Sequence, residues 1–268
     1  MNRDQFVRLA GEYTEKNAGN YVPANQALSD SIKGMKMYEA PIFGFASAQD
    51  PFFRKLRDQH IVGKHHRMPL DWMREAKTVI SFFAPFTEVV RNSNAEKMDW
   101  PSNEWLHARI EGQSFLNDLL RFLQKELEKQ GHKTIVPSLS AEFSSKTAKQ
   151  VYTSNWSERH IAYVCGLGTF SLSKGMITRK GVAGRFGSMV TEMPIEPTER
   201  DYDGCDDYCT HCGVCTRNCP AEAISMEKGK NHDLCCEFLD RIKKTCQPRY
   251  GCGKCQVGVP CETEIPTK

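Results

Sequence analysis

Cysteines are the residues of this 268-residue chain that are best placed to do chemistry, and eleven of the twelve fall between Cys205 and Cys261. A run ending at Pro220 follows the spacing C-x2-C-x2-C-x3-C-P and consists of Cys209, Cys212, Cys215 and Cys219. Two-residue gaps let one tight loop present three thiolates to a cuboidal [4Fe–4S] cluster, while the fourth cysteine is directed toward a second cluster. The spacing therefore predicts iron–sulfur chemistry of the bacterial ferredoxin kind.

A second group of cysteines departs from this repeat. Cys252 and Cys255 form a C-x2-C pair, Cys261 follows after five residues, and the adjacent Cys235 and Cys236 lie upstream. Because ligation crosses over between the two runs of such proteins, we predict one cluster on Cys209, Cys212, Cys215 and Cys261. The second cluster would take Cys219, Cys252, Cys255 and one of the adjacent pair.

Cys235 is favoured as that last ligand because Phe238 and Leu239 would then lie one helical turn behind it, as a helix packed on a cluster requires. The main alternative for the whole region is a zinc ribbon. Zinc sites favour two C-x2-C pairs, which explain neither the third cysteine of the run nor its C-P step. His211 lies inside the run, but four cysteines already close the site.

The composition limits the other classes of function. Thirty-six basic and 33 acidic residues give a net charge of +3, which is too small to indicate a nucleic-acid partner by itself. No apolar run approaches the roughly 18 residues that span a bilayer, and the N-terminus carries no secretory or twin-arginine signal. We therefore expect a cytoplasmic protein with no membrane partner, where clustered cysteines favour metal binding over disulfides.

The chain divides at a stretch rich in proline and acidic residues, 193–204, which we interpret as a linker. We predict an α/β domain over residues 1–200, which would be the cobalamin and substrate domain. Residues 201–268 are predicted to form a small ferredoxin-like α+β domain with two [4Fe–4S] clusters.

Within the first domain, the pattern of apolar residues predicts alternating strands and helices. Lys77–Ala84 is predicted as a buried strand, residues 103–130 as a helix that stops at Gly131, and Lys133–Val136 as a further strand. Asn155 and Glu158 have the capping-box spacing of a helix that would run to Cys165. The alternation predicts a layered α/β fold.

The combined pattern resembles the epoxyqueuosine reductases and, more distantly, the reductive dehalogenases. The resemblance spans roughly residues 65 to 265 and is carried by the cysteines together with four segments: Glu75–Ser81, Trp156–Gly168, Thr169–Thr191 and Tyr250–Cys255. The chain looks like a short member that lacks the C-terminal helical-repeat extension of the RNA-acting members. For that reason, and because there is no basic tail, tRNA is not expected as a substrate.

The resemblance implies a base-off corrinoid (cobalamin) held between the α/β domain and the clusters. Its contacts would come from the glycine-turn segment, namely Gly166, Leu167, Gly168, Thr169, Ser171, Met176, Ile177, Thr178 and Gly187. Glycines in this segment permit close approach of a ligand to the backbone. The alternative is a glycine-rich strand–turn–strand unit without a ligand.

The catalytic acid is where the sequence departs from the epoxyqueuosine reductases. Those proteins place an aspartate proton donor about fourteen residues before the glycine turn, and the matching residue here is Tyr152. Reductive dehalogenases use a tyrosine as the acid, and a phenol with a pKa of about 10 can protonate a strongly basic intermediate. The alternative role for Tyr152 is packing at a domain surface. Glu158 matches a family glutamate, although helix capping explains it more simply.

These features predict an oxidoreductase, specifically a cobalamin-dependent iron–sulfur reductase. Electrons would pass through two [4Fe–4S] clusters to a corrinoid that reduces a small organic substrate. The alternatives are a two-cluster electron-transfer protein and a reductive activator of another corrinoid protein, neither with catalysis of its own. No P-loop or dinucleotide fingerprint is present, so we expect an external low-potential donor of the ferredoxin or flavodoxin type.

Overall fold

A computed structural model describes residues 1–148 and 151–267. The helices and strands, in chain order, are α1 (Arg3–Lys16), β1 (Ile42–Ser47), α2 (Pro51–Lys55), α3 (Pro69–Trp72), β2 (Thr78–Pro85), α4 (Glu88–Ala95), α5 (Asn103–Lys129), β3 (Thr134–Ile135), β4 (Ser145–Ala148), β5 (Val151–Ser154), α6 (Glu158–Val164), β6 (Gly168–Phe170), β7 (Met176–Thr178), β8 (Gly184–Thr191), α7 (Val214–Arg217), β9 (Ile224–Ser225), β10 (Gly229–Lys230) and α8 (His232–Cys246). In the part of the chain so described, no helix combines the length and apolarity needed to cross a membrane.

A four-stranded sheet in the order β1-β2-β8-β3 forms the centre of the N-terminal part. Neighbouring strands are antiparallel, with Ile42 opposite Phe83 and Thr78 opposite Thr191. Strand β2 is the predicted strand Lys77–Ala84, and it is buried because strands flank it on both sides and apolar clusters cover both faces. The mixed α/β architecture is confirmed, and its sheet is antiparallel.

Helices cover both faces of this sheet because successive residues of β2 point to opposite sides. Phe82 faces α1 and α5, where it joins Phe6 and Leu119 in one apolar cluster. Val79 faces the opposite side and packs in a second cluster with Trp156 and with Ile161 of α6. The sheet is therefore the middle of three layers, as the layered prediction requires.

Helix α5 confirms the prediction for residues 103–130 almost to the residue. The Ser102 side chain caps its start by accepting a hydrogen bond from the Trp105 backbone N–H at 3.1 Å. Gly131 follows its end with φ of +83°, the left-handed conformation that favours glycine after a helix. The strand predicted at Lys133–Val136 is shorter and comprises only Thr134–Ile135.

The capping box predicted for Asn155 and Glu158 is wrong. Ser157 occupies the N-cap position of α6, and the Asn155 side chain instead accepts a hydrogen bond from the Ser144 backbone N–H at 2.9 Å. The Glu158 carboxylate accepts a hydrogen bond from Ser188 Oγ of β8 at 2.5 Å, and its burial raises its pKa to about 7. Tertiary partners therefore take both side chains away from the helix terminus.

The segment 193–204, interpreted as a linker from its composition, is bonded along the N-terminal part. Thr198 and Phe45 exchange two hydrogen bonds, one from the Thr198 backbone N–H at 2.8 Å and one to Thr198 Oγ1 at 3.0 Å. The Arg200 guanidinium lies 2.9 Å from the Asp50 carboxylate. These contacts fix where the chain enters the cysteine-rich part.

The cysteine-rich part is also tied to α5 by a buried ion pair. Arg249 is 9% exposed, and its Nη2 lies 2.5 Å from Glu111 Oε1. The same guanidinium donates to the Gln26 carbonyl at 3.0 Å, and His107 Nδ1 lies 3.3 Å from the other Glu111 oxygen. One carboxylate thus joins α5 to the segment that precedes Cys252.

Candidate iron–sulfur site and adjoining cavity

The cysteines predicted for the first cluster lie around one cavity, which is lined by Cys209, Cys212, Cys215 and Cys261. His211 and Gly213 have φ of 51° and 71°, and these left-handed turns fold the loop so that its three thiols face inward. The His211 ring also borders this cavity and is paired with Asp206 at 3.1 Å. Cys261 is held by its carbonyl, which accepts a hydrogen bond from the Val182 backbone N–H at 2.9 Å.

The cysteines predicted for the second cluster line a cavity of about 360 Å³, and they are Cys219, Cys235, Cys252 and Cys255. Cys255 borders both cavities, so the two cysteine sets adjoin. Gly253 lies between the predicted ligands Cys252 and Cys255 with φ of 69°, and a Cβ there would lie 1.9 Å from the Trp105 ring. Only glycine allows α5 to pack this closely on the loop.

The structure also separates the adjacent pair of cysteines on α8. Cys235 is among the residues that line the second cavity, whereas Cys236 is not among the described lining residues of either cavity. The Cys236 thiol is hydrogen bonded to Tyr152. This placement favours Cys235 as the ligand.

The remaining cysteines have other surroundings in the part of the chain that the structure describes. Cys165 is fully buried beneath the sheet and its thiol lies 3.6 Å from the Val79 carbonyl. Cys205 is exposed beside Asp206. Cys246 packs in the apolar cluster of Phe238 at the end of α8.

The donor sets fit the ligand type of cuboidal clusters, because five cysteines line the first cavity and four line the second, with Cys255 shared, and thiolates are the ligands that such clusters require. Burial raises the pKa of Cys215 to about 11 and that of Cys252 to about 12. These thiols therefore keep their protons at neutral pH until metal displaces them. Among the described residues, no group of three or more His, Cys, Asp or Glu side chains has the close spacing of a single-ion site.

The glycine-turn segment packs against the first cysteine loop. Thr169 Oγ1 accepts a hydrogen bond from the Tyr208 backbone N–H at 3.0 Å. Ser171 and Ile177 line the first cavity, and Ile177 packs with Cys209, Cys215 and Cys261. This segment therefore supports the first cysteine set.

The other residues predicted as corrinoid contacts are buried, apart from the half-buried Gly166. A Cβ on Gly168 would lie 1.9 Å from the Ile177 carbonyl oxygen, and one on Gly187 would lie 2.6 Å from the Phe82 ring. Gly166, Leu167, Met176 and Thr178 likewise lie outside the described lining of the second cavity. Glycine here serves close packing of strands, so this segment does not form the wall of the larger cavity.

Tyr152 lies on β5 against α8, and it is not among the described residues that line the second cavity. Its ring stacks on His232 with 5.1 Å between centroids. The hydrogen bond with Cys236, together with the nearby thiols, raises the pKa of the phenol. The geometry matches the packing role that the sequence left open.

The second cavity is also lined by a group of polar and aromatic residues other than cysteines. Its polar members are Arg109 of α5, Arg159 of α6, Arg185 of β8, Lys230 of β10, and Tyr250, Lys254 and Gln256 of the tail. Its aromatic members are Phe86, Trp105, Phe238 and Tyr250. Each helix or strand contributes one or two of these residues, so no local spacing in the sequence could have indicated them.

Lys254 is a fully buried lysine between two cysteines of the second set. Its ammonium donates to Asn94 Oδ1 at 2.9 Å and to the Asn94 carbonyl at 2.5 Å. The Asn94 amide in turn donates to the Cys252 carbonyl at 3.0 Å. The C-terminal end of α4 is thereby bonded directly to the loop that carries Cys252 and Cys255.

Comparison with known proteins agrees with this site. The family model of the 4Fe-4S binding domain matches residues 206–225. The chain is 30% identical over 122 residues to epoxyqueuosine reductase of Staphylococcus aureus, covering 42% of this chain and 31% of that protein. It is 36% identical over 70 residues to trichloroethene reductive dehalogenase of Dehalococcoides mccartyi, covering 25% of this chain and 12% of that protein.

Solved structures of the same two kinds of protein share the fold. Epoxyqueuosine reductase from Streptococcus thermophilus has a TM-score of 0.53 at 18% identity over 100% of this chain and 69% of that one. An epoxyqueuosine reductase solved with a modified tRNA-Tyr stem loop gives 0.52 at 18%, over 82% and 61%. A reductive dehalogenase described as B12-dependent gives 0.54 at 14% identity, over 84% and 30%.

The matched regions cover less than a third of the two curated relatives, so these similarities concern part of each protein. The relatives are reductases, and the matching family model is one that binds an iron–sulfur cluster. The cysteine motif, the fold and the relatives all show that this chain is similar to the iron–sulfur oxidoreductases of the epoxyqueuosine reductase and reductive dehalogenase group.

Proposed function

We propose that this chain is a cobalamin-dependent iron–sulfur reductase with two [4Fe–4S] clusters. One observation carries the proposal: the second cysteine set opens into a cavity whose opposite wall comes from α5, α6 and β8. The cavity extends beyond the thiols to these elements, so a ligand held there would lie directly beside a cluster on the second set. Cys255 lines both cavities, and this proximity of the two cysteine sets supports electron transfer from the first set to the second.

The proposed ligands of the first cluster are Cys209, Cys212, Cys215 and Cys261, and those of the second are Cys219, Cys235, Cys252 and Cys255. Cys212 is exposed, so an external low-potential donor of the ferredoxin or flavodoxin type would deliver electrons to the first set. The two-domain division at residues 200 and 201 is part of the same proposal. In it, the N-terminal part supplies one wall of the cavity and the tail supplies the thiols.

The cavity wall fits a corrinoid better than the glycine-turn segment does. Trp105, Phe86 and Tyr250 offer aromatic surface, and Arg159 and Arg185 offer donors to the carbonyl groups at the edge of such a ring. No histidine is among the described lining residues, in keeping with a base-off form. When bound, a corrinoid supplies a strongly reducing cobalt centre.

Tyr250 is the proton donor that the geometry favours. Its Oη accepts a hydrogen bond from Arg109 Nη2 at 3.1 Å, and the guanidinium carbon lies 4.8 Å from the ring centroid. The cation fixes the phenol within the cavity wall, in the position that a proton donor requires. Tyr152, proposed from the sequence, would need to leave Cys236 to reach the cavity.

The substrate class follows from the relatives only as a set of candidates. The relatives are named epoxyqueuosine reductase and trichloroethene reductive dehalogenase, and one similar structure contains a tRNA stem loop. The expectation that tRNA is not a substrate is therefore not supported. We propose reduction of a small organic group, with the tRNA stem loop tested beside free small molecules.

Anaerobic reconstitution with hydroxocobalamin tests the proposal. After both clusters are loaded and excess corrinoid is removed, we expect the wild type to retain a corrinoid absorption spectrum. Retention should fall in Trp105→Leu and persist in Trp100→Leu, because Trp100 lies outside the cavity lining. Oxidation of a reduced viologen dye on adding trichloroethene, a brominated hydroxybenzoate or an epoxyqueuosine stem loop then measures turnover. A cluster-loaded wild type that retains no corrinoid would instead support the electron-transfer alternative.

Replacing Tyr250 by phenylalanine is expected to lower turnover by roughly a hundred-fold, the typical contribution of a positioned acid. Tyr152→Phe is the matched control, and we expect it to leave turnover within about a factor of three because its phenol faces α8. Both rates are measured by dye oxidation on protein with equal iron and corrinoid content. Equal rates for Tyr250→Phe and wild type, with a large loss in Tyr152→Phe, would restore the sequence-based assignment.

A further inference from the structure

Three arginines from three different elements converge on the cavity beside the second cysteine set. Arg109 comes from α5, Arg159 from the first turn of α6, and Arg185 from the start of β8. We refer to these three residues as the arginine wall. Burial lowers the pKa of Arg185 to about 10, and the like charges of Arg109 and Arg159 add to this effect. The fold therefore holds three cations close enough to repel one another.

Each member of the arginine wall is anchored by a neutral group. Arg109 donates to Tyr250 Oη at 3.1 Å, Arg185 donates to Gln113 Oε1 at 2.6 Å, and Arg159 donates to the Lys174 carbonyl. Among the ion pairs found in residues 1–148 and 151–267, none involves these three guanidinium groups. A guanidinium has five N–H donors, so several on each remain for a ligand.

The cysteine set has cations of its own. The Lys230 side chain is hydrogen bonded to Cys235, and Lys254 is enclosed between Cys252 and Cys255. A thiolate-bound cluster on this set would place its negative charge beside these two lysines. No carboxylate is among the described residues that line the cavity. In the part of the chain that the structure describes, Arg109 and Arg185 form no ion pair. Glu158, outside the lining, is close enough to Arg185 for that cation to oppose the rise in its pKa, but its carboxylate is bonded to Ser188.

We infer that the arginine wall is an oxyanion subsite that binds a carboxylate or phosphate group of the ligand beside the second cysteine set. Planar guanidinium forks match both groups and bind them through paired hydrogen bonds. Partial burial strengthens such contacts relative to water. The inference rests on the proposed function for the identity of the ligand, and it makes that ligand an anion. The anionic group belongs either to the substrate or to the phosphodiester of a corrinoid.

Equilibrium dialysis of cluster-loaded, corrinoid-free protein tests the subsite with three probes. We expect inorganic phosphate and benzoate to bind, and benzamide, the neutral counterpart of benzoate, not to bind. Arg109→Gln and Arg185→Gln should each weaken both anions roughly tenfold or more, as loss of a charge-assisted hydrogen bond predicts. Arg121→Gln is the matched control, because Arg121 lies on the same helix but is exposed and paired with Asp118. Iron content and far-UV circular dichroism establish that each variant is folded, and Arg109→Lys should keep part of the affinity.

Equal affinity of wild type and both glutamine variants for the anions would overturn the inference, as would equal binding of benzamide and benzoate or no anion binding by the wild type.

A comparison of cobalamin with cobinamide, which lacks the nucleotide loop and its phosphate, identifies which molecule carries the anion. If the phosphodiester is the ligand, Arg109→Gln lowers retention of cobalamin and not of cobinamide. If the substrate is the ligand, neither retention changes. The dialysis contains no corrinoid, so it tests the anion subsite independently. A protein that retains no corrinoid would contradict the proposed function without contradicting the anion-binding result.

Discussion

Cys235→Ser is expected to lose about half of the iron of the reconstituted protein, whereas Cys236→Ser keeps all of it. Cys235 lines the second cavity together with Cys219, Cys252 and Cys255, and its replacement would remove one of the four thiolates proposed to hold the second cluster. Iron and acid-labile sulfide analysis after anaerobic reconstitution measures the difference. The visible absorption of the clusters should fall in parallel.

Cys236→Ser is the matched control because the two cysteines are adjacent on α8 and the substitution is the same. Its thiol bonds to the partly exposed Tyr152 phenol, so its loss should have little effect on stability. An iron loss in Cys236→Ser that is not seen in Cys235→Ser would reverse the ligand assignment. Equal retention in both variants would show that the second set does not hold a cluster in this way.

Arg249→Met is expected to destabilise the fold by about 3 kcal/mol, because removal of one partner leaves a buried charge unpaired. Glu111 would keep only His107 as a polar neighbour, and the carbonyl of Gln26 would lose its donor. Urea unfolding of cluster-loaded samples under anaerobic conditions measures the change. The double variant Glu111→Gln/Arg249→Met should recover part of the loss, since it removes the buried charge altogether.

Arg121→Met is the control, because the Arg121 pair with Asp118 is more than half exposed on both sides and such pairs contribute about 0 to 1 kcal/mol.

The pH dependence of stability gives a second readout. Burial alone would raise the pKa of Glu111, but His107 and Arg249 hold it below its ordinary value of about 4.5. A carboxylate whose pKa is lowered by folding stabilises the fold at pH values above its ordinary pKa. This stabilisation is lost as the pH falls through the folded-state pKa. The stability gap between wild type and Glu111→Gln should therefore close in acid, and a loss in Arg249→Met no larger than in Arg121→Met would contradict the role of the pair.

Local patterns in the sequence were sufficient for the elements whose stability is local. Helix α5 was predicted from apolar spacing and its glycine stop, and β2 from a β-branched and aromatic run, because both signals are written in consecutive residues. The structure places the eight predicted cysteines around two adjoining cavities, with Cys255 lining both. Their division between two clusters, and the preference for Cys235 over Cys236, stay predictions.

What the sequence could not predict depends on contacts between distant segments. The arginine wall draws one residue each from α5, α6 and β8, and no spacing relates these three positions. Asn155 has the residue type and spacing of a helix cap but bonds to Ser144 instead. The glycines of residues 166–187 were interpreted as room for a ligand, whereas at Gly168 and Gly187 they are room for neighbouring protein.

Helix α5 carries Trp105, Arg109, Glu111 and Gln113, and each touches a different part of the tail or cavity: Gly253, Tyr250, Arg249 and Arg185 respectively. Every residue inserted into a helix rotates all later side chains by about 100°. The angular phase of this one helix therefore sets several long-range registers at once. Insertions or deletions ahead of Trp105 would be far less tolerated than point changes, so among related sequences the spacing from Ser102 to Gln113 should be constant in length.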